Sequence, residues 1–181
     1  MVVFIALELE QGVKGKIYRY VQEVVKPLCR GGRWVDSVNY HLTLKYIGTS
    51  GDREVDALYR MLCDVALHHA SFRLCTGRVG VFGGVGAGRA RVLWLDTSGE
   101  VKALRDLRRY IEHKAVGLGF KAENRFTPHI TLARDVMLTR KLDRIERLQP
   151  ISIKINSVSL MESRMEGKKR VYLPLSVHRL S

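Results

Sequence analysis

Apolar residues recur in two rhythms along this chain, every second position in some stretches and every third or fourth in others, and the alternation between the two sets the predicted elements. Residues 2–7 are rich in β-branched and aromatic side chains and predict a first strand. Val13, Ile17, Val21, Val24 and Leu28 then fall at helical spacing, with Gly31 and Gly32 as the stop. Tyr40, Leu42, Leu44 and Tyr46 alternate with His41, Thr43 and Lys45, which predicts a second strand. Val55, Leu58, Leu62 and Ala66 mark a helix within residues 52–69, and strands follow at 72–82 and 90–96. The glycine-rich run between those strands reads as a flexible hairpin turn. Val101, Leu104, Leu107, Ile111, Ala115 and Leu118 predict another helix, and a further, basic helix is expected at 139–148. Two long alternating segments, 151–162 and 171–177, close the chain around a hairpin loop at 164–169.

The plan repeats itself. Leu7 precedes His41 by 34 residues, and Leu95 precedes His129 by 34 as well. The expectation is therefore an α+β protein: one bilobal domain over residues 1–181, built from duplicated strand-helix-strand units around His41 and His129. Each of the two pseudo-symmetric lobes would be a mostly antiparallel sheet with helices on the outside, leaving a central cleft between the sheets.

His41-Leu42-Thr43-Leu44 and His129-Ile130-Thr131-Leu132 are near copies of one another. In an extended strand the His and Thr of each phrase share one face while the aliphatic residues turn to the other. One such phrase is weak evidence, because any half-exposed sheet face can carry it. Two in matching halves are stronger: they can bring two imidazoles and two hydroxyls onto one anionic group, an acid, a base and two donors suited to opening a phosphodiester. Each phrase lacks a second metal-binding side chain two to four residues on, and two His with two Thr suit zinc poorly, so no metal or other cofactor is expected. Arg134, five residues after His129, is a candidate phosphate ligand, with a plain surface arginine as the alternative. Lys45 and Tyr46 follow the first phrase as candidate substrate contacts. His68, His69, His113 and His178 lie on helices or at the tail, where solvated or capping roles are expected. The stretch 80–88 lacks the G-x-G-x-x-G order of a dinucleotide loop.

Charge adds a partner. The chain carries 31 Lys and Arg against 18 Asp and Glu, a net of +13, and residues 101–181 hold 18 of the bases and 8 of the acids. That field favours a polyanion, nucleic acid ahead of membrane, although a basic surface also simply aids solubility. Cys29, Cys63 and Cys75 are odd in number and widely spaced, as expected of reduced thiols in a cytoplasmic protein. The apolar start is too short to span a membrane and soon meets Glu8 and Glu10.

These residues resemble the two-histidine phosphoesterases, and within them the LigT-type RNA 2',3'-cyclic phosphodiesterases, also called 2'-5' RNA ligases. The likeness runs through Val3-Phe4-Ile5-Ala6-Leu7, the phrase from Tyr40 to Gly48, Val92-Leu93-Trp94-Leu95, Phe126-Thr127-Pro128-His129-Ile130-Thr131-Leu132-Ala133-Arg134, and Ser157 to Ser163 with Tyr172 and Leu173. The family often has Gly-Pro before that Tyr, where this chain has Gly167-Lys168-Lys169-Arg170. The resemblance implies a bilobal fold whose cleft hydrolyses RNA 2',3'-cyclic phosphate ends to a 2'-phosphate without a metal. It also implies His41 as the acid that protonates O3', His129 as the base that activates water, and Thr43 and Thr131 on the non-bridging oxygens with Arg134 assisting. The expected partner is an RNA end, the expected state a monomer. A non-catalytic nucleotide- or RNA-end-binding domain, and reversible 2'-5' ligation by the same groups, remain open alternatives at this point.

Overall fold

The computed structural model describes residues 1–84 and 88–181, so the middle of the glycine-rich turn, residues 85–87, lies outside the described residues. Within the described residues, ten strands and three α-helices follow in the order β1 (Val2–Glu8), α1 (Gln11–Tyr20), β2 (Cys29–Arg30), β3 (Arg33–Trp34), β4 (His41–Thr49), α2 (Asp52–Leu67), β5 (Phe72–Phe82), β6 (Arg89–Gly99), α3 (Val101–Gly117), β7 (His129–Leu138), β8 (Ser152–Ile155), β9 (Ser157–Glu166) and β10 (Lys169–Arg179). The α+β expectation holds.

The two expected sheets are one. Its strand order is β10-β9-β1-β4-β7-β6-β5-β8, with the short β2 and β3 also on β7. All pairings are antiparallel, and β4 meets β7 at the single pair Leu42–Ile130. A four-stranded half thus lies on each side of a narrow seam. Leu7 pairs with Leu42 on one side and Leu95 with Ile130 on the other; Glu8 opposes His41 as Asp96 opposes His129. Equivalent residues therefore sit at equivalent places about a local twofold axis through the seam.

One face of the sheet buries Val3, Ile5, Leu7, Leu42, Leu44, Leu93, Leu95, Ile130 and Leu132 against Ile17 of α1, Leu58, Leu62 and Val65 of α2 and Leu104, Leu107 and Ile111 of α3. Each such side chain contributes roughly 1.5–3 kcal/mol by leaving water. The opposite face carries a smaller buried apolar group, Phe4, Ala6 and Met161 with Tyr172 against it. That face is the cleft.

Three elements differ from expectation. The first helix leaves regular α geometry after Tyr20, passing through a wide π turn at Val21–Val25 and a 3-10 turn at Lys26–Leu28. Pro27 lacks the N–H that a continuing helix would donate to Glu23. The basic helix expected at 139–148 is absent, with one 3-10 turn at Leu142–Arg144 in its place. Thr139, the residue placed to cap such a helix, instead donates both its amide and its hydroxyl to the Leu28 carbonyl, and Ile145 is drawn into the core. The segment 151–162 splits at Asn156: β8 pairs with β5 at one edge of the sheet, while β9 pairs with β1 in the other half. A one-residue link between the two halves requires the sheet to curl until those regions meet.

Candidate active site

Both histidines open their strands and project from the cleft face. The antiparallel register through Leu42–Ile130 sets His41 beside Thr131 and Thr43 beside His129 across the seam. Each ring is held in the same way: His41 Nδ1 lies 2.7 Å from the Asn39 carbonyl, and His129 Nδ1 lies 2.7 Å from the Thr127 carbonyl. A carbonyl only accepts, so Nδ1 carries the proton in both rings and Nε2 is left for chemistry. His41 Nε2 is 2.9 Å from Thr43 Oγ1. Asn39 does more than hold His41, since its side chain donates to the Arg170 carbonyl and accepts from the Tyr172 amide, which fixes β10 over the ring.

A bulge falls on the last residue of each phrase. Ile5 opposes Lys45 while Ala6 opposes Thr43, so Leu44 is the extra residue of β4; Leu93 opposes Ala133 while Trp94 opposes Thr131, so Leu132 is the extra residue of β7. The inserted residue reverses the alternation. Lys45, expected beside His41 and Thr43, turns instead to the helix face, where its side chain is fully buried. It is therefore a structural cation and no substrate contact. Its ammonium donates to both oxygens of Glu112 on α3 and to the Lys121 carbonyl. The same reversal brings Tyr46, opposite Phe4, and Arg134, opposite Val92, onto the cleft face, both exposed. Arg33 lies directly opposite Arg134 and pairs with Asp135.

Aromatic rings flank each imidazole. Phe4 and Tyr172 stand 5.1 and 5.0 Å from His41, and Phe82 and Trp94 stand 5.0 and 6.1 Å from His129 with the latter two stacked at 4.8 Å. The strand carrying Phe82 makes room for the indole at Gly80, where a Cβ would come within 2.4 Å of the Trp94 ring. These rings dry the site. Burial is accordingly the largest influence on both imidazoles: it pushes His41 down to about 4, aided by the charges of Lys14, His129 and Arg134 and opposed by the Asn39 carbonyl. Burial, with Arg134 nearby, also lowers His129, against the pull of the Thr127 carbonyl. Both imidazoles are thus biased toward their neutral form.

Behind the cleft, Glu112 gathers Lys45, the Arg108 guanidinium at 2.6 Å and the Glu123 amide at 2.7 Å. Arg108 also reaches Glu123 and lies over the Phe126 ring. This buried cluster joins the strand of His41 to the segment that ends at Thr127, the residue whose carbonyl orients His129. Sequence reasoning does not single out Phe4, Asn39, Phe82, Glu112, Thr127 or Tyr172 for these roles. A face count along β1 and β6, projecting Phe4 and Trp94 opposite the histidine strands, is the signal that finds the aromatic pair. Among the described residues no group of three His, Cys, Asp or Glu is arranged to hold a metal ion, and no helix is long and apolar enough to cross a membrane.

Residues 19–166 match the 2'-5' RNA ligase superfamily. A protein of Methanothermobacter thermautotrophicus named RNA 2',3'-cyclic phosphodiesterase is 25% identical over 183 residues, covering 98% of this chain and 97% of its own. A Bacillus subtilis protein of the same name is 30% identical over 132 residues, 72% of this chain and 69% of that one. Among solved structures, E. coli LigT complexed with 3'-AMP superposes with a TM-score of 0.82 at 24% identity, covering 99% of this chain and 98% of LigT. A Thermus thermophilus protein superposes with a TM-score of 0.80 at 24% identity over 99% and 98% of the two chains. With the match spanning most of its length and both histidine strands, the chain belongs to the 2'-5' RNA ligase superfamily.

Proposed function

We propose that this protein opens RNA 2',3'-cyclic phosphate ends to a 2'-phosphate and a free 3'-hydroxyl, using residues 1–181 as one bilobal domain of duplicated halves. The observation that carries the reading is the seam: one antiparallel pair, Leu42–Ile130, sets two carbonyl-anchored imidazoles and two threonine hydroxyls on one face. The names of the relatives support the same chemistry.

His129 Nε2, whose lone pair is free of hydrogen bonds among the described residues, takes a proton from water as that water attacks phosphorus. The P–O3' bond breaks, and His41 Nε2–H delivers its proton to the departing O3'. His41 must be protonated for this step, and burial holds it low in the free protein. The entering phosphodiester supplies a negative charge that raises it, so the acid is armed by the substrate. Thr43 and Thr131 donate to the non-bridging oxygens, and the exposed Arg134 meets the charge that develops there. With an RNA 5'-hydroxyl in place of water, the same groups open the cyclic phosphate to a 2'-5' linkage, the P–O3' bond breaking and O3' taking the proton of His41 as before.

The test is incubation with RNA bearing a 2',3'-cyclic phosphate in the presence of excess EDTA. The expected product is the 2'-phosphate; a 3'-phosphate, unchanged RNA, or a collapse in EDTA reversed by added zinc overturns the reading. Ligated product from a 5'-hydroxyl acceptor identifies transfer to that hydroxyl in place of water.

A further inference from the structure

A hollow of about 480 Å³ opens beside His129, between the end of β6, the first turn of α3 and the segment leading into β7. It shares Thr127, the anchor of the His129 ring, and Asp96, the residue opposite that histidine, with the reacting centre. Its volume suits a nucleotide. Its lining also fits one, because Arg105 projects from α3 with no ion-pair partner among the described residues and offers a fork for a phosphate, while Asp96 and Ser98 offer acceptors and a donor for ribose hydroxyls. Phe126 supplies a ring against which a base can lie. Thr97 is 6% exposed, and its hydroxyl is buried with no hydrogen-bond partner among the described residues. A buried polar atom left unpaired costs about 1–3 kcal/mol, which a bound ligand can recover. Among the described residues no side chain caps the first amides of α3 at the rim, which adds positive potential there.

We propose that this hollow is a second nucleotide subsite, which holds the residue preceding the cyclic end, so that the protein acts on RNA chains in preference to cyclic mononucleotides. The inference rests on the cyclic phosphodiesterase reading and adds a substrate class to it. Arg105 and Thr97 are binding residues here and touch no reacting atom.

The experiment compares a 2',3'-cyclic mononucleotide with a dinucleotide bearing the same end, in the unaltered protein and in Arg105→Gln and Thr97→Val. The dinucleotide is expected to have a kcat/KM higher on the order of tenfold, the scale of one charged hydrogen bond, and each variant to lose most of that gain while turning over the mononucleotide as before. Equilibrium binding of a dinucleotide ending in a 2'-phosphate, against the 2'-mononucleotide, gives the same comparison without turnover. Equal handling of the two lengths by both readouts overturns the subsite, and mononucleotide turnover in that outcome leaves the underlying chemistry standing. A free nucleoside 5'-monophosphate that binds through Arg105 with no length preference also overturns it, by assigning the hollow to a soluble nucleotide.

Discussion

Glu112→Gln tests how the two halves of the cleft are tied together. The substitution keeps the shape of the side chain and removes the only carboxylate among the described residues that contacts both Lys45, with a side chain 0% exposed, and Arg108, at 5%. Removing one partner from a buried ion pair costs about 3–5 kcal/mol, because the remaining charge stays desolvated. Glu112 is itself 17% exposed and Arg108 keeps Glu123, so the lower end, about 3 kcal/mol, is expected. For a chain of this size that corresponds to a fall in Tm of roughly 6–12 °C. Reversible urea and thermal unfolding at pH 7 measure it. Burial disfavours the Glu112 charge, yet the Glu123 amide, Lys45 and Arg108 outweigh it and hold the carboxyl below its ordinary value. Its contribution is therefore fully present above the unfolded carboxylate value of about 4.3 and is lost as pH falls through the lower folded one, so the gap between the two proteins should close only in acid. A loss under about 1 kcal/mol at pH 7 would refute the claim that this cluster is a buried, mutually dependent unit.

His41→Ala and His129→Ala should each remove most turnover, and the double variant should be scarcely slower than either, since the two act in one step; additive losses in log kcat would count against that coupling. In the free protein the His41 ring should titrate near 4 by NMR and shift upward when inorganic phosphate is added. Because folding lowers that value from the unfolded 6.5, the folded state takes up its proton late, and His41 should erode stability as pH falls from about 6.5 toward 4; a midpoint near 6.5 in the free protein contradicts the dry setting. Gly80→Ala should displace the Trp94 indole from beside His129, read as a changed tryptophan emission and a lower kcat, and an unchanged spectrum would show that the ring does not depend on that gap.

The histidine strands and the antiparallel setting can be read from the sequence because period-two alternation reports a half-buried sheet face directly. Alternation says nothing of where it breaks. The bulges at Leu44 and Leu132 leave no mark in the pattern, since a second buried residue simply follows the first, and so the pattern puts Lys45 on the wrong face. The expected helix at 139–148 fails for a related reason: Leu142, Ile145 and Leu148 have a helical rhythm, but Thr139 is occupied by Leu28 and the chain cannot start a capped helix there. The hub at Glu112 depends on residues from β4, α3 and the segment after it, a convergence that only tertiary packing reveals.

A local dyad through Leu42–Ile130 repeats one imidazole and one hydroxyl in each half, so what tells one side of the cleft from the other is the surroundings of each pair. On the cleft face the counterparts Tyr46 and Arg134 differ in charge, and the rings differ too, Phe4 and Tyr172 on one side and Phe82 and Trp94 on the other. On the proposed reading, it is such unlike neighbours, and not the paired imidazoles, that orient a cyclic phosphate in the cleft and so set which ester oxygen departs.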